Sequence, residues 1–318
     1  MERYKYHLFR GSRKWVCPEC GKKTFVCYVD DENNVLHESV GRCDREQKCQ
    51  YHYTPKQYFK DNGWMEDAKR TPRPKRQHIN QTPPPTYIDP WEMKRTLGWY
   101  KDNNLITYLD KMFVQSAVSD MIYKYFIGTS DHWQGATVFW QVDRFGRIRT
   151  GKVMQYDRAN GKRVKEPYNR VSWMHKVLGL QDFNLSQCLF GEHLLSSNPD
   201  AKVVIVESEK TAVILSGLLQ GCVCLAVGGC GNLSSKICEP LRGRDVVLLP
   251  DNGKYQEWSD KGGLLTMCRQ VTIADMMERY ARKEGDDVAD LISIGNDGVP
   301  QYDVSEWQDW GERLLYHQ

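Results

Sequence analysis

Apolar runs rich in β-branched residues recur through the last third of the chain. Val203-Val204-Ile205-Val206 stops at Glu207, and Cys222 to Val227 stops at Gly228-Gly229-Cys230-Gly231. Asp245-Val246-Val247-Leu248-Leu249-Pro250 stops at Asp251-Asn252-Gly253, and Val271-Thr272-Ile273 forms a fourth run. Short runs of this composition, closed by glycine or a carboxylate, predict buried strands. After Glu207 the spacing turns helical, with Ser208 placed to cap the helix. Strands alternating with helices predict an open, Rossmann-like α/β sheet whose functional edge lies at the strands' carboxyl ends.

Upstream the pattern differs. Leu105, Tyr108, Leu109, Met112 and Phe113 fall three and four apart in a helical stretch from Trp91 to about Tyr125, with Asn104 able to cap it. Ala136 to Val142 and Arg147 to Met154 read as a hairpin turning at Asp143-Arg144-Phe145-Gly146. Alternation puts Arg147 and Arg149 on one face and Lys152 on the other, unless Gly151 introduces a bulge.

The first 62 residues add a different chemistry. Cys17 and Cys20 form a Cys-x-x-Cys pair, and Cys43 and Cys49 a looser one, separated by a hairpin-like segment. Two close sulfur pairs can surround one structural Zn²⁺, with His52 as an alternative to Cys49. Cys27 sits in the apparent strand Thr24 to Val29 and reads as a buried thiol. A domain this small needs such a staple. Arg42, Arg45 and Lys48, interleaved with aromatics, suit single-stranded nucleic acid.

Charge sharpens the division. Residues 1–195 carry 32 Lys and Arg against 22 Asp and Glu, a net +10, and the rest carry 12 against 19, a net −7. A basic region suits a polyanion and an acidic one a divalent metal. Lys69 to Arg76 and Thr82-Pro83-Pro84-Pro85 predict a basic, semi-rigid linker. No apolar run reaches the ~20 residues of a membrane helix, and the first residues do not open a signal peptide. A cytoplasmic protein with reduced thiols and no membrane partner is expected. The expected organisation is a zinc-binding ribbon over 1–65, the linker over 66–90, a basic α+β region over 91–195 and the α/β domain over 196–318.

Late in the chain, Gly285-Asp286-Asp287-Val288-Ala289-Asp290 places acids three and four apart, predicting one helix face. Carboxylates from several strand ends are the donors that Mg²⁺ or Mn²⁺ takes. Glutamate after the first strand, glycine turn after the second, aspartate after the third and a late Gly-Asp-Asp-x-x-Asp resemble the Toprim domain of bacterial primases, topoisomerases and some nucleases. The resemblance implies metal-site positions for Glu207, Asp251, Asp286, Asp287 and Asp290, with Glu207, Asp251 and Asp287 catalytic. Gly253 stands where the family usually has a second acid, for which Asp260 or Glu257 is the candidate substitute.

The hairpin with Gly146-Arg147, then Tyr168-Asn169-Arg170 and Cys188 to His193, is similar to the polymerase core of bacterial primases. The whole order resembles a compact primase of the mobile-element or phage type. It implies nucleotidyl transfer on a single-stranded DNA template from nucleoside triphosphates, with a replicative helicase as a further partner. Arg147, Arg149, Lys152, Arg170 and Lys210 would then neutralise template or triphosphate charge. The same motifs would serve a Toprim nuclease, or an accessory protein of replication or mobilisation whose catalysis is weakened at Gly253. A helicase-binding C-terminal domain is not expected after Trp307 and Trp310.

Overall fold

A computed structural model describes residues 6–45, 48–62, 83–281 and 283–292. The basic run Lys69 to Arg76, most of the expected linker, and Trp307 and Trp310 lie outside the described residues. The chain divides into two compact units, residues 1–80 and 81–318.

The first unit is a meander of β1 (His7–Leu8), β2 (Phe25–Val29), β3 (Gly41–Cys43) and β4 (His52–Tyr53), closed by α1 (Pro55–Asp61). Its strands pair antiparallel in sequence order. Helix α1 starts in a reciprocal cap between Thr54 and Gln57. The core is thin: Cys17, Phe25, Cys27 and Cys43 are buried, with Trp15, Val35 and Tyr51 packed against them.

The second unit opens with α2 (Pro90–Lys94), α3 (Asn104–Met112) and α4 (Gln115–Tyr125). An antiparallel sheet follows, β5 (Ile127–Ser130), β6 (Ala136–Val142), β7 (Ile148–Met154) and β8 (Val171–Trp173), ordered as in the sequence. Two short helices, α5 (Met174–Val177) and α6 (Leu194–Ser197), lead to the α/β part. That part comprises β9 (Lys202–Val206), α7 (Glu209–Leu218), β10 (Cys222–Ala226), β11 (Asp245–Leu248), α8 (Tyr255–Gly262), β12 (Gln270–Ile273), α9 (Met276–Tyr280) and α10 (Val288–Leu291). Its sheet is wholly parallel in the order β10-β9-β11-β12. The mixed α/β class with an N-terminal ribbon is therefore the one expected.

Strand β6 is buried along its whole length because both faces of its sheet are covered. Alternation sends Phe139 into the large core shared with β9, β10 and α7, and sends Val138, Trp140 and Val142 into a smaller one with Ile88 and Met174. Gly151 pairs regularly with Trp140, and the irregularity in this ladder sits at Gln141/Val142 instead. Gly151 has a packing reason: a Cβ there would lie 2.8 Å from Met174 Cγ and 2.9 Å from Val138 Cγ1. Strand β10 is tied to the segment before α6 by a bridge from Phe190 to Ala226, and to α4 by the buried Tyr125 hydroxyl, which donates to the Cys224 carbonyl at 2.8 Å.

Two local expectations are corrected. The 91–125 stretch is three helices, interrupted around Trp99, whose φ is +56°. Asn103, not Asn104, caps α3: its Oδ1 accepts from Leu105 N and Ile106 N, while its Nδ2 donates to the Gly128 carbonyl. Asn104 is the first helical residue and donates to the Tyr156 carbonyl at 3.0 Å. Ser208 caps α7 as expected, accepting from Thr211 N.

Candidate zinc centre and acidic strand edge

In the first unit, the thiols of Cys17, Cys20, Cys43 and Cys49 all lie within 4.8 Å of one another. Cys17 to Cys49 is 3.7 Å and Cys20 to Cys43 is 3.9 Å. Thiolates about 2.3 Å from a tetrahedral zinc stand about 3.8 Å apart, so the donor set fits Zn²⁺. The first pair is held by a tight turn in which Gly21, at φ +64°, donates to Cys17 O, and Cys17 N donates to Lys22 O.

The Lys22 amide helps bring the Cys20 thiol down to about 6. Although the Tyr51 amide favours its thiolate, burial and the other three sulfurs push Cys49 up to about 12. Such opposed shifts describe thiols crowding one another's charge, which a dication relieves. His52 is turned away: its Nε2 lies 3.0 Å from the Tyr28 hydroxyl and its ring stacks on Tyr28. Cys27 is fully buried and its thiol is pushed up to about 11 by burial. Arg42 and Lys48 are exposed and Arg45 is half-buried.

In the second unit, Glu207 follows β9 directly and Asp251 lies three residues beyond β11, at the carboxyl edge of the parallel sheet. Burial raises the Asp251 carboxyl to about 8, reinforced by the negative charges of Asp287, Glu207 and Asp290, while Lys210 opposes the shift. Asp290 is raised by burial and then by Asp287. These mutual effects put Glu207, Asp251, Asp287 and Asp290 in one electrostatic neighbourhood, with Lys210 the cation nearest in effect. Oxygen donors of this kind fit a hard divalent cation.

The late acids do not share a helix face, which corrects the spacing argument. Helix α10 begins only at Val288; Asp287 is its cap, accepting from Asp290 N at 3.0 Å, while Asp290 accepts from Asp287 N at 3.1 Å. The other Asp287 oxygen accepts from the Thr211 hydroxyl at 2.6 Å, tying this loop to α7. Asp286 is buried and accepts from Lys283 N.

At Gly253, whose φ is +82°, the nearby acids come from elsewhere than α8. Glu278 accepts from Gly253 N at 2.8 Å, and a Cβ on Gly253 would lie 3.1 Å from Glu284 Cγ. Glu257 bonds Lys261 and Lys254, and Asp260 accepts from Gln256, all along α8 itself. Sequence reasoning missed Glu278 because its reach across 25 residues leaves no local signal.

The basic residues fall into separate places. Lys152 is buried: its Nζ donates to both Glu209 oxygens at 3.1 Å and to the Gly228 carbonyl at 2.9 Å. Arg147 and Arg149 share one Asp143 oxygen, at 2.9 and 2.8 Å. Arg170 lies over the Tyr168 ring, and Lys210 starts α7 beside the acids.

Two family models match separate stretches of the chain. Residues 3–64 match the family described as a zinc beta-ribbon finger. Residues 103–252 match a domain of unknown function, DUF6371. No curated protein matches the sequence. Among solved structures the chain is similar to bacterial and phage primases. With the zinc-binding and RNA polymerase domains of Aquifex aeolicus primase it shares 12% identity over 97% of this chain and 80% of that one, at a TM-score of 0.45. With the RNA polymerase domain of Mycobacterium tuberculosis primase the values are 9%, 72%, 81% and 0.44. With the primase fragment of the bacteriophage T7 primase-helicase they are 19%, 60%, 73% and 0.37. Among the described residues, no helix is long and apolar enough to cross a membrane.

The raised Asp251 carboxyl has a consequence for stability. Its unfolded value is near 3.8 and its folded value about 8. Between these the native state keeps a proton that the unfolded chain releases, so stability falls as pH rises through that window. Without magnesium, the thermal midpoint of the second unit is expected to drop from pH 4.5 to pH 8, and Asp251→Asn should flatten the slope. An unchanged slope in that variant would show that another group carries the dependence.

Proposed function

We propose that this chain is a primase-type nucleotidyltransferase that extends short primers on single-stranded DNA from nucleoside triphosphates. The observation that carries the reading is the carboxyl edge of the parallel sheet, where the charges of Asp287 and Glu207 act on the half-buried Asp251 and Lys210 opposes them. Glu207 and Asp251 would hold Mg²⁺ or Mn²⁺, with Asp287, Asp290 and Asp286 supporting that shell. When bound, such ions neutralise phosphate charge in an in-line displacement. Lys210, at the same edge, would meet an incoming triphosphate. Arg147, Arg149 and Arg170 lie on the basic part of the same unit. Lys152, paired with the buried Glu209, would have to leave that carboxylate to meet phosphate.

A second reading has its own observation: Gly253 replaces an acid, and Asp287 and Asp290 already spend oxygens on helix capping. An accessory protein that binds DNA without catalysis would fit that arrangement. Incorporation of labelled NTPs and dNTPs on circular single-stranded DNA separates the readings. Wild type with Mg²⁺ or Mn²⁺ should give short products, and Glu207→Gln with Asp251→Asn should reduce them at least about 100-fold. Folded, zinc-loaded wild type that binds the template yet makes no product would favour the accessory reading, and loss of intact template would favour a nuclease.

A further inference from the structure

The turn between β6 and β7 carries an arrangement that the acidic edge does not use. Asp143 is buried and organises the turn, accepting from Phe145 N and Arg147 N with one oxygen and from the Arg147 and Arg149 side chains with the other. Although burial opposes it, these bonds hold its carboxyl below the usual range, so it stays ionised and fixes both guanidiniums. Ile88 bridges to Ile148, its amide donating to the Ile148 carbonyl at 2.9 Å, and both side chains enter the core. Strand alternation then leaves Tyr87 on the same face as Arg147 and Arg149.

The result is a ladder of alternating cations and rings. Arg149 lies 5.1 Å and Arg147 4.8 Å from the Tyr87 ring centre; Arg147 lies 4.9 Å and Arg144 5.0 Å from that of Phe145. Phe145 is 66% exposed and Tyr87 37%, although both are large apolar rings that burial would favour. Beside the ladder opens a cleft of about 510 Å³, lined in part by Arg144, Phe145, Arg149, Gln187, Ser234 and Lys236. The carboxylates at the ladder and its cleft are Asp143, buried beneath it, Glu239, paired with Arg144 at 3.2 Å, and the buried Glu192, which accepts from Arg144 N. With Lys236 counted, the cations outnumber them.

We infer that Tyr87 and Phe145, spaced by Arg144, Arg147 and Arg149, form a base-stacking platform for single-stranded nucleic acid, with the adjoining cleft receiving an unstacked base. Exposed π-faces interleaved with guanidiniums bind bases without reading sequence, and the guanidiniums meet the phosphates between them. A protein surface as partner would not require exposed rings to alternate with charge in this way. The inference deepens the proposed function, since it rests on the reading that the chain handles single strands, but it does not depend on catalysis at the acidic edge.

The test is fluorescence anisotropy of the full chain, zinc-loaded and without magnesium, with a labelled oligo-dT and an abasic oligomer of equal length. Wild type should prefer oligo-dT by about a hundredfold. Phe145→Ala should weaken oligo-dT binding roughly tenfold and the double variant with Tyr87→Ala roughly a hundredfold, while abasic binding stays within about twofold. Phe145→Tyr should restore binding; both side chains are exposed, so unchanged thermal unfolding is expected of every variant. Equal binding of the two oligomers by wild type, no binding of either, or a double variant that keeps the full preference would each overturn the platform. Glu207→Gln with Asp251→Asn should leave the preference intact. An intact preference without primer synthesis would therefore count against the proposed function alone.

Discussion

Replacing Cys43 with serine is expected to empty the zinc centre and unfold residues 6–62 as a unit. Two of the four thiols, Cys17 and Cys43, are themselves among the buried residues of this small core, so the ligands and the packing are the same atoms. A core of that size cannot balance the chain entropy of some sixty residues, and small domains of this length are usually stapled. Structural zinc contributes about 10–16 kcal/mol of apparent binding free energy at neutral pH, which is folding free energy here.

Zinc content should fall from about one ion per chain to near zero, and amide protection in β2 and β3 should be lost. Protection in β6 and β9 should persist, because they belong to the other compact unit. Cys27→Ser and His52→Ala keep all four close thiols and should keep the metal. Retained β2 protection in metal-free Cys43→Ser would show that packing alone holds the ribbon.

What could be read from the sequence was whatever is local. The β-branched runs of β9, β10 and β11 are buried on both faces, so they read as strands without alternation, and Glu207 and Asp251 follow from where those runs stop. The Cys-x-x-Cys spacing likewise announces its turn. What could not be read depends on partners distant in the chain. Lys152 and Glu209 are 57 residues apart, and nothing beside either marks it as buried. Ile88 sits in a proline-rich stretch that reads as linker, yet it pairs with β7. Asp287 and Asp290 show a further limit: spacing of three suits a helix face and a capping box equally, and the glycine before them starts the helix late.

The Lys152–Glu209 pair offers the second large effect. The two side chains are 11% and 1% exposed, and the lysine joins the antiparallel sheet to the glycine turn after β10. Removing one member strands the other as an uncompensated buried charge, which costs about 3–5 kcal/mol, whereas replacing both with apolar groups is often neutral. Lys152→Met and Glu209→Met should therefore each lower the melting temperature of the second unit, by roughly 10 °C. The double variant Lys152→Met with Glu209→Met should recover most of that loss, and the cycle gives the coupling directly.

The pair also bears on the acids. Gly228 accepts from Lys152 through its carbonyl and donates to the Glu207 carbonyl through its amide at 2.9 Å, so one turn residue connects the buried cation to the backbone of a candidate metal ligand. Loosening Lys152 should then weaken Mg²⁺ binding, measured calorimetrically, in the double variant as well as the single ones, because stability is restored there but the bond to Gly228 is not. Full Mg²⁺ affinity in a stable double variant would mean that the turn holds its shape through Glu207 alone. Unchanged stability with lost DNA binding in Lys152→Met would mean that the lysine leaves Glu209 to meet phosphate, as its place in a basic hairpin suggests.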